Sequence, residues 1–120
     1  AARPMPHIPF IRRRPQVVLV TDPGPDPDDV KALLISANLH SLGAIELKCV
    51  VCNGGGQPEL RARLARCILD KMALPHLPVG IGSSGVPYEA KPHEYAISGF
   101  DAVDTSRLHD GALLLQSVVR

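Results

Sequence analysis

Asp22-Pro-Gly-Pro-Asp-Pro-Asp-Asp29 crowds four carboxylates into eight residues. Three prolines and a glycine stiffen the loop and let it turn sharply. Carboxylates this close repel one another unless a positive charge sits among them. A hard cation with oxygen ligands meets that need, and Ca²⁺ or Mg²⁺ suits oxygen donors better than Zn²⁺. The pattern is not an EF-hand loop, because the alternating ligand spacing and the terminal Glu are missing. The plainer alternative is a solvated acidic turn in which Asp28 or Asp29 caps a helix. A second polar loop, Asn53-Gly-Gly-Gly-Gln57, is a further candidate. It lacks both the G-x-G-x-x-G spacing and the Lys of a phosphate loop, so an Asn that reaches a crevice competes with a simple turn.

The other chemistry-bearing residues point less far. Cys49 and Cys52 form C-x-x-C, but inside an apolar strand and with no second pair, so buried packing is expected. Cys67 falls on a helix and reads as core. His7, His40, His76, His93 and His109 show no metal-ligand spacing, so surface or loop positions are the default. His93 is the one with a weak claim to a substrate-facing loop. Arg61, Arg63 and Arg66 read as the wet face of a helix. Ser83-Ser84 lacks a G-x-S-x-G elbow and reads as loop.

The two polar loops need a scaffold. Gln16 to Thr21 is a β-branched apolar run and predicts a buried strand. Residues 28 to 42 carry Val30, Leu33, Leu34, Ala37 and Leu39 near helical spacing, with Gly43 as a stop. Residues 45 to 52 predict a second strand, and 58 to 72 a second helix with Leu60, Leu64, Ile68 and Leu69 on its apolar face. Residues 78 to 82 predict a third strand, 83 to 107 irregular chain, and 110 to 119 a third helix. Strands alternating with helices predict an α/β fold, a parallel sheet with flanking helices. Ligands of such sheets sit beyond the carboxyl ends of the strands, where both polar loops emerge.

Composition narrows the partners. A net charge of +1 announces no nucleic-acid or membrane surface, and 3% aromatics give bases little to stack on. No apolar run reaches the roughly 18 residues of a membrane helix. Three cysteines favour a reducing compartment, so a cytoplasmic location is expected. Residues 1–15 hold four arginines, four prolines and no acid. They predict an extended or disordered arm. If that arm is the remnant of a targeting peptide, the location is organellar.

Residues 17–34, Val-Val-Leu-Val-Thr-Asp-Pro-Gly-Pro-Asp-Pro-Asp-Asp-Val-Lys-Ala-Leu-Leu, resemble the opening of the inosine-uridine-preferring nucleoside hydrolases. That signature reads D-T-D-P-G-x-D-D before a helix rich in Ala and Leu. Leu47-Lys-Cys-Val-Val-Cys-Asn53 is similar to the family's second strand, and Leu77-Pro-Val-Gly-Ile-Gly82 to its third. The resemblance covers roughly residues 16 to 85. It implies a nucleoside-hydrolase-like, Rossmann-like domain whose N-terminal portion is residues 16–120. It also implies hydrolysis of ribonucleosides to ribose and free base, with Ca²⁺ as cofactor. Asp22 then matches the metal-binding carboxylate that accepts the water's proton, and Asp29 the main metal ligand. Asp28 and Asn53 match the ribose-binding residues. Nucleosides of purine and pyrimidine salvage are the implied substrates.

Three departures qualify the match. Val20 stands where the family's first Asp usually is. Two extra residues separate Gly24 from Asp28, so Asp26 competes for the metal role. The family's members are longer than this chain, and their later ligands lie beyond position 120. The expectation is therefore a hydrolase of which this chain is one portion. The alternative is a non-catalytic module or inactive fragment of the same fold, in a homo-oligomer or with a partner chain completing the sheet.

Overall fold

The computed structural model describes residues 14–24, 27–87 and 95–119. The expected arm lies outside them apart from Arg14 and Pro15, as do Asp26 and His93. The β-branched run forms strand β1, Gln16–Thr21. Beside it lie β2 (Glu46–Cys52), β3 (Val79–Ile81) and the two-residue β4 (His109–Asp110). All four pair in parallel in the order β1-β2-β3-β4. The chain is thus an α/β fold with a parallel sheet and flanking helices. Strand β4 is too short to carry a pattern, and its residues were expected in loop and helix.

Helix α1 spans Pro27–Ser41 and α2 spans Pro58–Lys71. Pro27 presets the first helical dihedral. Asp28 and Asp29 consequently fall inside the first turn rather than serving as caps. There their charge meets the positive end of the helix dipole. At the other end Gly43 adopts φ 80°. Gly43 N–H donates to His40 O and Ala44 N–H to Leu39 O, the paired bonds that close a helix on glycine. Helix α3, Gly111–Val119, starts from Asp110, whose carboxylate accepts from Leu113 N–H at 3.0 Å.

The alternation of side chains divides the sheet into two faces. Val50, Cys52 and Val79 join Leu33, Ala37, Leu64, Ala65, Ile68 and Leu69 in the core beneath α1 and α2. Val51 and Gly80 face the other way, against α3. A Cβ on Gly111 would stand 2.6 Å from Ile81 O and 2.8 Å from Val51 Cγ1, so α3 sits directly on the strands. Helix α1 buries less than its periodicity predicts: Leu33 and Ala37 are buried, whereas Leu34 and Leu39 stay exposed. Among the described residues no helix is long and apolar enough to cross a membrane.

The arginines of α2 overturn the wet-face expectation. Arg61 and Arg66 are buried, at 4% and 2% exposure. Arg66 donates to Leu77 O, to Leu74 O at 2.6 Å and to Asp70 Oδ1 at 3.1 Å. Arg63 lies over the Phe100 ring, 4.5 Å from its centroid. Each guanidinium closes a loop against the helix, which is why charged groups are tolerated inside.

Candidate functional site

The site is built where β1 and β2 end. Thr21 is the last residue of β1 and its side chain is buried. Its hydroxyl donates to Asp29 Oδ1 at 3.0 Å. That bond brings the first turn of α1 back over the strand end. Asp22, the next residue, is exposed to solvent, and its carboxyl lies beside that of Asp29. The neighbouring Asp29 carboxyl, with burial behind it, raises the Asp22 pKa above its ordinary value, while the Arg61 charge opposes the rise. Asp22 and Asp29 therefore converge. Asp28 is exposed in the same first turn.

Asn53 is placed beside them by the ladder. Its N–H donates to Thr21 O at 3.0 Å, continuing the β1–β2 pairing one step past the strand. The glycines then fold the loop back. Gly54 adopts φ 90°, and a Cβ there would lie 3.4 Å from Asp22 Cβ. Gly54 N–H donates to Ser83 O at 2.9 Å, and Gly56 N–H to Ser84 O at 2.7 Å. The loops after β1, β2 and β3 are thus tied side by side at one edge of the sheet. Ser83 and Ser84 serve here through their carbonyls, as loop.

On the α3 face an open cavity of about 410 Å³ adjoins Asn53. Val20, Val51, Ile81 and Leu115 give it apolar walls, and Asn53, Ser83 and Asp110 give it polar ones. Val20, at the position expected to be acidic, is 52% exposed along this wall. Asp110 was not foreseen as part of the crevice. Its side chain is engaged as the α3 cap.

Among the described residues no group of three or more His, Cys, Asp and Glu could hold a metal ion. Asp22 and Asp29 supply two converging carboxylates, a donor set that suits a hard cation. The cysteines are free and buried. Cys49 and Cys52 lie three apart in a strand and so on opposite faces, which rules out a shared metal or a disulfide between them. Burial pushes the Cys52 thiol up to about 12. His40 is committed to structure, its Nδ1 accepting from Leu47 N–H at 3.0 Å.

Arg61 was missed as a contributor to this region. Its Nη1 donates to Asp22 O at 2.5 Å and lies 3.8 Å from Asp22 Oδ2. The signal was in the spacing: Arg61 shares a helical stripe with Leu64, Ala65 and Ile68.

No family model and no curated protein matches this chain. Solved structures do. The effector protein XOO4466 superposes with a TM-score of 0.63 at 25% identity, over 88% of this chain and 32% of that one. The type III effector protein XopQ, in its complex with adenosine diphosphate ribose, gives a TM-score of 0.59 at 27% identity, over 82% and 30%. This chain spans about a third of the length of these structures.

Proposed function

We propose that the paired carboxylates at the end of β1 belong to a hydrolase of N-glycosidic bonds acting on ribonucleosides. The observation that carries this reading is the convergence of Asp22 and Asp29, held by Thr21, beside Asn53 on the neighbouring strand. The nucleoside-hydrolase resemblance of these residues supports it. So does the fold shared with a protein solved with adenosine diphosphate ribose, a ribose-bearing ligand.

In this reading Asp22 and Asp29 would hold Ca²⁺, which when bound would lower the pKa of a water and offset the carboxylate repulsion. Asp22 accepts the proton as the water's oxygen attacks the anomeric carbon. Its exposure to solvent leaves its carboxyl reachable by that water. Asp28 and Asn53 orient the ribose hydroxyls. The bond from the anomeric carbon to the base nitrogen breaks, and its electron pair leaves with the base.

A second reading, a ribosyl-binding module without catalysis, is favoured by Val20 at a position the resemblance expects to be acidic. Both readings rest on the same strand-end loops, and Ca²⁺ separates them. Thermal unfolding with and without CaCl₂ is the test. The hydrolase reading expects a gain of about 2.7 kcal/mol at a hundredfold excess over Kd, absent in Asp29→Ala. A wild-type midpoint indifferent to Ca²⁺ removes the metal-assisted reading.

A further inference from the structure

Arg61 has no part in the reaction outlined above, yet its guanidinium is built into the acidic loop. It stands in the first turn of α2, on the stripe that elsewhere carries Leu64 and Ile68. A leucine there would bury apolar surface with no charge to desolvate. The arginine is 4% exposed and must therefore be held by acceptors. One is the main-chain carbonyl of Asp22, which accepts from Nη1. This bond fixes the peptide itself, whatever the carboxylate is doing. The carboxylate lies 3.8 Å from the same nitrogen, a charge contact without close geometry. Gly24 completes the arrangement. A Cβ on Gly24 would stand 3.1 Å from Nη1 and 3.3 Å from Cζ, so the loop closes tightly over the guanidinium.

We infer that Arg61 is the positioning residue of the acidic loop, clamping Asp22 by its main chain so that its carboxyl meets Asp29. The clamp also links the two strand-end loops, because Arg61 stands in the first turn of α2, which follows directly on the Asn53 loop. Its consequence for turnover rests on the hydrolase reading; its consequence for the loop does not.

The experiment pairs ¹⁵N relaxation with kinetics on inosine and uridine, in wild type, Arg61→Gln and Arg61→Lys. In Arg61→Gln the order parameters of the Asp22 and Gly24 amides should fall from about 0.85 to below about 0.6. Turnover should fall about tenfold or more, with KM within about threefold, since a small misplacement near the reacting atoms costs rate. Arg61→Lys restores the charge and one donor, and should recover most of both. Order parameters in Arg61→Gln equal to wild type overturn the inference. If Arg61→Gln does not fold, Gly24→Ala presses on the guanidinium from the loop side and is read the same way. If the wild type hydrolyses neither nucleoside, the hydrolase reading falls, and the order parameters alone decide for or against Arg61.

Discussion

Thr21 and Asp29, eight residues apart, are joined by a 3.0 Å hydrogen bond that folds the acidic loop back over the end of β1. Thr21 is 5% exposed, so its hydroxyl has little water to turn to. Thr21→Val keeps the shape and removes the donor. The expected loss is about 1–2 kcal/mol, seen as a lower urea midpoint at unchanged m-value. Thr21→Ser should recover most of it.

The approach of α3 to the sheet depends on Gly111. A Cβ there meets main-chain atoms of Ile81, which cannot swing aside. Gly111→Ala should cost about 1–3 kcal/mol through overpacking. Gly43 is the contrast: nothing lies within 4 Å of its added Cβ, but φ is +80°. Gly43→Ala should cost about 1 kcal/mol through the backbone alone. Chemical denaturation of both variants checks the order, with Gly111→Ala the more damaging.

Asp70 links α2 to the chain before β4. Arg107 donates to it twice, at 2.7 and 2.8 Å, and Arg66 once at 3.1 Å. The Arg107 hydrogen bonds hold its carboxyl below the usual value of 3.8, against the opposing effect of burial. A depressed folded-state pKa stabilises the fold above the unfolded pKa, and that stability is lost as pH falls through the folded value. The Tm difference between wild type and Asp70→Asn should therefore be full near pH 7, and shrink as pH falls below about 4. A difference that does not change with pH would contradict the ion-pair account.

The three thiols should be silent in the native state. All are buried, and burial raises the pKa of both Cys49 and Cys52. A thiolate is the reactive form, so an alkylating reagent at pH 8 should label them only at the rate of unfolding. Rapid labelling of Cys52 without denaturant would contradict the packing of β2.

Most of the scaffold was legible because the signals were local. The β-branched run at 16–21, the stop at Gly43 and Pro58 before a leucine stripe each fix an element within its own few residues. The same holds for the two polar loops, since a strand followed by turn residues places its loop at the sheet's edge. What escaped depends on distant partners. Arg61 and Arg66 looked solvated because charge argues for water. Acceptors brought in by the fold, the carbonyls of Asp22, Leu74 and Leu77 and the Asp70 carboxylate among them, make their burial affordable. The apolar period of α1 overstated its burial, because a helix covers only what the fold sets against it. Asp28 and Asp29 looked like caps until Pro27 began the helix one residue earlier.

In the proposed function Asp22 and Asp29 are the working pair of a nucleoside hydrolase. The most direct measurement is release of free ribose from inosine and uridine in the presence of Ca²⁺, comparing wild type with Asp22→Asn. The account predicts ribose release by the wild type and a loss of about a hundredfold or more in Asp22→Asn, the range of a lost general base. Equal release by both proteins, or none by the natural protein, would contradict it.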